Sequence, residues 1–439
     1  MVKKTKSLLI LLLAIAVFAS SAYANGANET NDNAPIELVY WSHYGQSPAF
    51  VQSFADAVNL AAKNLGYDNV TCRAEVIEYS GYEAKYITGF SSANGPDFFL
   101  GRPSDWAIDG GVNPIAVPFN DDVADAWNNA LAPIYKSAGM FNGKVYGFAA
   151  EGGTFQMLYI NTDAMAEAGL TEKDIPKTVS EFEVFVEKLT KRDANGKIIR
   201  SGYQPRYLGG GDGVGGKTLT WFHDFGARVL SPDLTKANGY VNSDKAIKAM
   251  TWYQNLINKV SNLEFGSPET AFQQGQSATI TREGWYAQDT IDKAPNIHFI
   301  VVPFPGGDEP ENDILASPSG GGWVNMISGK SKHIDLCQKI VKELAKEEYD
   351  VILHEAAGYP PVLKETMTMD NAYFSKLPYA QATIDSSNKK DGPNYERIKQ
   401  WGAIAIGYGD AVAAIVGGAD VKTTLDNLAV NADQILAQN

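Results

Sequence analysis

Cysteine and histidine are scarce: two cysteines and five histidines occur among 439 residues. The histidines are scattered and the cysteines lie far apart, at 72 and 337, so a structural zinc site built on closely spaced ligands is not expected. Long apolar runs are also missing. The longest, Leu8 to Phe18, falls short of the ~20 residues a membrane-spanning helix needs. Positive charge is in deficit, 37 Lys and Arg against 51 Asp and Glu, for a formal net charge of −14. A nucleic acid or an anionic lipid surface needs a basic face whose cations displace counterions, so neither is an expected partner. No Gly-x-Ser-x-Gly elbow is present and no internal repeat is visible.

What is present is a composition 44% hydrophobic and 20% charged, which buries a large core and places the chain among globular proteins. At roughly 100–200 residues per domain, the length predicts two. Lys3, Lys4 and Lys6, the apolar run behind them and Ala22-Tyr23-Ala24 have the tripartite build of a secretory signal peptide, residues 1–24, cut before Asn25. A polar tether, Asn25 to Ala34, follows. The mature protein is therefore expected in the periplasm or outside the cell. In an oxidising compartment the two cysteines raise the question of a bridge. Cys72 alternates onto the apolar face of a strand, and Cys337 shares a helical stripe with Ile340, Val341 and Leu344. Both thiols face inward, which suits either two buried free cysteines or one disulfide, since geometry decides.

Residues 36 to about 110 alternate short strands with amphipathic helices: strands at 36–41, 69–77 and 96–100, helices at 48–64 and 82–91. Strands separated by helices predict parallel pairing and an α/β lobe, with ligands beyond the carboxyl ends of the strands. That directs attention to the turns at 41–44, 78–81 and 101–106. A second lobe begins near residue 150. Strands are predicted at 145–149, 155–160, 298–302 and 323–327, and helices at 218–230, 243–260, 284–293 and 332–346. Thr178 and Glu181 form a capping box for a helix through Leu189. The stretch 303–322, rich in Gly, Pro, Asp and Glu, reads as loop, and the remainder to Asn439 as mostly helical.

Gly211-Asp212-Gly213-Val214-Gly215-Gly216-Lys217-Thr218 fits the phosphate-binding loop of NTPases letter for letter. That loop follows a buried strand, whereas here a proline and no β-branched run precede it, so the segment is expected to be a flexible loop before a helix at Leu219. His354-Glu355 begins like a zincin motif, but Gly358 stands where the second histidine should be. A glycosidase draws its two carboxylates from distant strands and leaves no local spacing, so a secreted carbohydrate-active enzyme stays as an alternative. The aromatic fraction, 11%, is ordinary, but Trp41, Trp106, Trp285 and Trp323 each sit beside Gly or small polar residues at a predicted element end. Rings so placed beside carboxylates and amides suit a sugar, whose C–H face packs on the ring while its hydroxyls take hydrogen bonds.

An ordered set of segments carries a resemblance over nearly all of the mature chain: Glu37-Leu38-Val39-Tyr40-Trp41-Ser42, Gly95-Pro96-Asp97-Phe98-Phe99, Val145-Tyr146-Gly147-Phe148, Leu158-Tyr159-Ile160-Asn161, Ala271-Phe272-Gln273-Gln274-Gly275, Glu283-Gly284-Trp285, Gly321-Gly322-Trp323 and Gly358-Tyr359-Pro360-Pro361-Val362. In these the chain resembles bacterial extracellular solute-binding proteins of the maltose-binding type, the capture subunits of ABC sugar importers. The resemblance implies an α/β, two-lobed periplasmic binding protein fold (type II), each lobe a sheet flanked by helices. Residues 25–150 and 319–358 would form lobe 1, and 151–318 and 359–439 lobe 2. The chain would cross a hinge near 149–152, 318–323 and 359–362, and both cysteines would fall in lobe 1.

Cleft positions implied by the same resemblance are Trp41, His43 and Tyr44, then Arg102 and Asp105, Glu151, Trp285, and Gly321, Gly322 and Trp323. Gln204, Arg206, Tyr207, Trp401 and Tyr408 match more loosely. Asp105 and Glu151 would accept from hydroxyls, Arg102 would donate, and the tryptophans would stack. The implied function is capture of a mono- or oligosaccharide by hinge closure and delivery to permease subunits, by a monomer with no cofactor, no metal and no catalysis. Arg102, Arg206 and Arg282 allow an anionic solute such as a sugar phosphate as the alternative, because guanidinium groups bind phosphate bidentately.

Overall fold

The structure, a computed structural model, describes residues 34–45, 47–92, 95–209, 211–314, 322–390 and 392–438. The predicted signal peptide, most of the tether and Gly321 lie outside the described residues. Among the described residues no helix is long and apolar enough to cross a membrane.

Strands β1 (Ile36–Ser42), β2 (Val70–Val76) and β3 (Phe98–Gly101) pair in parallel, with β1 in the middle. This follows from the helices between them, α1 (Pro48–Asn64) and α2 (Tyr82–Phe90), because each crossover returns the chain in the same direction. Leu38, Val39, Tyr40 and Trp41 are all buried, as a strand covered on both faces requires. Helix α1 opens with Pro48 at its first turn and buries Phe50, Phe54, Val58, Ala61 and Ala62, a stripe at helical spacing; Phe54 stacks on Tyr40 with ring centroids 3.9 Å apart. The sheet continues through β4 (Ala116–Val117) and β5 (Gly147–Ala149), both antiparallel to β9 (Val324–Ser328), which also pairs antiparallel with β3.

A second sheet is three-stranded and antiparallel, with β6 (Met157–Asn161) between β7 (Thr279–Arg282) and β8 (Phe299–Pro303). Its period of two divides the interior. Met157 and Tyr159 join the apolar cluster that fills the first sheet, whereas Leu158 and Ile160 join a separate cluster with Phe182, Trp221, Tyr253 and Tyr408.

Several boundaries differ from the sequence reading. The helix expected at 218–230 is α3 (Gly211–Asp224), so the glycine segment is helical and the predicted flexible loop is corrected. Glycines cost about 1 kcal/mol each inside a helix, and packing outweighs this here. A Cβ on Gly211 would stand 2.4 Å from the Ile406 carbonyl oxygen, and one on Gly409 would stand 1.5 Å from that of Gly211. The glycines thus let α3 and α4 (Trp401–Val416) approach backbone to backbone, and residues 211–218 are helical rather than a phosphate loop. Thr178 caps its helix by accepting from the Glu181 amide at 3.3 Å, but the Glu181 carboxylate bonds the Lys177 amide instead of Thr178; the reciprocal box forms at Thr171 and Asp174. The helix expected at 332–346 is two, Ile334–Glu343 and Glu347–Glu355. Cys72 and Cys337 are both buried free thiols, each pushed well up by burial.

Candidate ligand-binding cleft

Three separate chain segments run side by side between the two sheets. The Ala150 amide donates to the Trp323 carbonyl at 2.9 Å and the Gly152 amide to the Pro360 carbonyl at 2.8 Å. Gly152 has to be glycine, because a Cβ would stand 2.2 Å from the Pro361 carbonyl oxygen. His354 reinforces the junction from below. Its Nε2 lies 3.0 Å from the Ala150 carbonyl, while the Asp350 carboxylate accepts from the amides of Val362 and Leu363. Burial pushes His354 down, but its hydrogen bonds to Asp350 and that carboxylate's charge outweigh this and hold it above the ordinary histidine value.

Beside this junction a cleft of about 620 Å³ opens at the carboxyl ends of β1 and β3. A concavity of about 700 Å³ at the opposite, amino end of β1 is lined by Glu37, Asp97 and Lys332 and lacks tryptophan. In the cleft, the first sheet contributes Tyr44 and Tyr79 from turns after β1 and β2, and Arg102 directly after β3. The junction contributes Glu151, Thr154, Gly322 and Trp323. Glu151 is buried; the Tyr44 hydroxyl donates to its Oε1 at 2.6 Å, and its Oε2 has no hydrogen-bond partner. Burial pushes this carboxyl up to about 7, against the opposing effect of the Tyr44 hydrogen bond.

The other wall is a chain of alternating charges. Arg206 stands 3.9 Å from Glu269, Glu269 3.2 Å from Arg282, and Arg282 3.6 Å from Glu283, which pairs in turn with Lys217. Local folding brings them together: β7 ends at Arg282, Glu283 fills the turn, and the helix Trp285–Lys293 starts two residues later. Tyr159 fixes that turn by donating to the Glu283 carbonyl at 2.7 Å. Burial pushes Glu269 up, but Arg282, its own amide, Arg206 and Lys217 together hold it below the ordinary carboxylate value. One face of each half-buried indole carries a guanidinium: Arg282 lies 4.9 Å from the Trp285 centroid and Arg102 4.3 Å from that of Trp323.

Of the sequence-predicted positions, Tyr44, Arg102, Glu151, Arg206, Trp285, Gly322 and Trp323 line this cleft. The others do not. Trp41 is buried against Tyr86 and Phe90, since in a strand covered on both sides even the last ring enters the core. His43 is enclosed by Tyr82 and Trp323 at 4.3 and 4.2 Å, with neither ring nitrogen hydrogen-bonded; burial, aided by Arg102, pushes it down to about 3. Asp105, in the turn after Arg102, is not among the lining residues. Gln204 bonds Ser201 and the carbonyls of Asn262 and Gly266, and Tyr207 bonds the Leu263 carbonyl, so both serve the local fold. Trp401 stacks on Tyr395 at 4.5 Å and Tyr408 packs on Phe222 at 5.5 Å, both inside the second core. Sequence reasoning missed Lys217, Glu269 and Glu283 as lining groups. Lys217 was hidden in the phosphate-loop pattern and Glu283 in the Trp285 motif, while Glu269 carried no signal.

Among the described residues no cluster of metal-ligating side chains occurs. A family model described as bacterial extracellular solute-binding protein matches residues 50–378. The sn-glycerol-3-phosphate-binding periplasmic protein UgpB of Brucella melitensis is 26% identical over 295 residues, 62% of this chain and 63% of that protein. Its Escherichia coli O1:K1 / APEC namesake is 25% identical over 257 residues, 54% of either chain. The chain thus spans under two thirds of the length of the curated relatives it matches. The cyclic alpha-maltosyl-1,6-maltose binding protein from Arthrobacter globiformis superposes with a TM-score of 0.72 at 18% identity, covering 92% of this chain and 100% of that one. UgpB from Mycobacterium tuberculosis in complex with glycerophosphocholine gives 0.72 at 20%, covering 92% and 98%. At these identities the likeness shows the two-lobed α/β fold. The family match spans most of the chain, and the protein belongs to the bacterial extracellular solute-binding protein family.

Proposed function

We propose that the protein captures a neutral carbohydrate or polyol in the cleft between its lobes and delivers it to the permease subunits of an ABC importer, without breaking a bond. The observation that carries this reading is the charge pairing of the cleft: Arg206, Arg282 and Lys217 are paired with Glu269 and Glu283, Arg102 with Glu396, and Lys293 with Asp289. Such a lining offers alternating donors and acceptors to hydroxyls with little net charge, and two indoles add apolar area for a sugar's C–H face. Tyr44, Arg102, Glu151, Arg206, Trp285, Gly322 and Trp323 from the sequence reading, joined by Lys217, Glu269 and Glu283, are the proposed contacts.

In this reading residues 1–24 are a signal peptide cleaved on export to the periplasm, and the mature chain acts as a monomer. Residues 25–150 and 319–358 form lobe 1, and 151–318 and 359–439 form lobe 2. The hydrogen bonds from Ala150 to Trp323 and from Gly152 to Pro360 support a hinge where the three segments meet. Closing about it shifts an open–closed equilibrium toward the state that contacts the solute from both sides. A second reading, an anionic solute such as a glycerol phosphate, is favoured by the similarity to the Brucella protein named for that ligand and by the cleft's guanidinium groups. Calorimetric titration with neutral sugars, polyols and sugar phosphates separates the two, and product analysis in the same samples tests for turnover. Heat from neutral sugars alone supports the first reading, heat from phosphates alone replaces it with the second, and a cleaved sugar makes the protein an enzyme.

A further inference from the structure

Arg102 and Glu396 belong to different cores. Arg102 leaves the carboxyl end of β3 in the six-stranded sheet and is fixed there by Pro103, which starts a short helical turn, and by its position over Trp323. Glu396 sits in the turn Tyr395–Arg397, which the second core holds tightly. Tyr395 stacks on Trp401, its hydroxyl bonds His223 at 2.9 Å and accepts from the Val229 amide at 3.0 Å, and the Asn394 side chain accepts from the Glu396 amide. The two anchors nevertheless bring Arg102 Nε within 3.5 Å of Glu396 Oε1, with the side chains only 17% and 10% exposed.

We propose that this ion pair is a latch between the lobes, with Glu396 as the positioning residue that draws Arg102 and the first lobe into the closed arrangement. Both anchors are rigid, so the pair exists only at the lobe spacing in which it is seen, and a hinge opening of a few ångströms breaks it. Its shielding from solvent distinguishes it from a surface pair, which salt screens and which contributes little. An interaction made in one of two states biases the equilibrium by its whole differential strength. Because Arg102 also lines the cleft, the solute and the latch act on the same guanidinium, and the closed state is partly prepared before a solute arrives.

The test is small-angle X-ray scattering of the full mature chain with no solute added, in the wild type, in Glu396→Gln, and in the reversed pair Arg102→Glu with Glu396→Arg. Glu396→Gln keeps the shape and removes the charge; it should raise the radius of gyration and shift the open–closed ratio toward open by about 5- to 150-fold, the usual span for such couplings. The reversed pair should return the radius toward the wild-type value, which a merely structural loss would not do. Circular dichroism confirms that each variant is folded. Identical scattering for wild type and Glu396→Gln, or an expanded reversed pair, overturns the latch. Neither outcome depends on which solute the cleft takes.

Discussion

Arg282 lies with its guanidinium 4.9 Å from the Trp285 ring centroid while its Nη1 reaches Glu269 at 3.2 Å, so one side chain both orients an indole at the cleft and ties it to a carboxylate. The tryptophan is thereby held before a solute arrives, which reduces the ordering cost of binding. Trp285→Ala should weaken sugar binding at least tenfold, about 1.4 kcal/mol. Trp401→Phe, in the second core, should leave the Kd unchanged and lower stability by about 1–3 kcal/mol. Titration calorimetry and thermal melts of the two variants check this, and equal Kd values for Trp285→Ala and wild type would remove Trp285 from the site.

Glu151 makes stability depend on pH with a definite sign. Its folded value of about 7 lies above the ordinary carboxylate value of 4.5, so between these the folded state holds a proton that the unfolded state has released. Stability therefore falls as pH rises through that window, by up to roughly 3 kcal/mol. Glu151→Gln should flatten that part of the curve. His354, raised by Asp350, also loses its contribution as pH rises, so the difference between wild type and variant reports Glu151 together with its coupling to His354. Denaturant midpoints from pH 4.5 to 8 measure it, and parallel curves would contradict the assignment.

Glu283 makes shielded ion pairs with both Lys217 and Arg282, so removing its carboxylate takes one counter-charge from each. Glu283→Gln should be destabilising by about 1–3 kcal/mol. Lys217→Met combined with Glu283→Gln should be less destabilised than the sum of the single changes, by about 0.5–3 kcal/mol. A double-mutant cycle by urea unfolding reports the coupling; additive effects would mean that the pair is not an energetic unit.

The glycines of the α3 and α4 contact divide sharply by position. Gly409→Ala forces a Cβ onto the Gly211 carbonyl oxygen and should cost at least 1–3 kcal/mol. Gly402→Ala, in the first turn of the same helix with open space around it, should stabilise by about 0.5–1 kcal/mol. Thermal melts of the two variants should move in opposite directions.

Much of the first sheet was legible because its strands and helices are short, periodic and bounded by Gly, Pro and Asn, as Ile36–Ser42 and Pro48–Asn64 show. The helical state of the glycine segment at 211–216 is not legible in the sequence because it depends on α4, almost two hundred residues later in the chain, and not on local propensity. Within the cleft, residues at strand ends such as Tyr44 and Arg102 could be found from topology. Trp41 and Trp401 could not be separated from Trp285, since all three flank turn residues and only tertiary packing decides which ring is covered. Glu269 and Glu396 meet their arginines across 13 and 294 positions, distances at which no local pattern exists.

The central claim, capture of a neutral carbohydrate in the cleft, is tested most directly by a thermal-shift titration of residues 25–439 with neutral mono- and disaccharides beside sn-glycerol 3-phosphate. A true ligand at 100 times its Kd should add about 2.7 kcal/mol of stability. The account predicts a saturable shift with a neutral sugar, lost in Trp285→Ala. A saturable shift with the phosphate and none with any neutral sugar would contradict it.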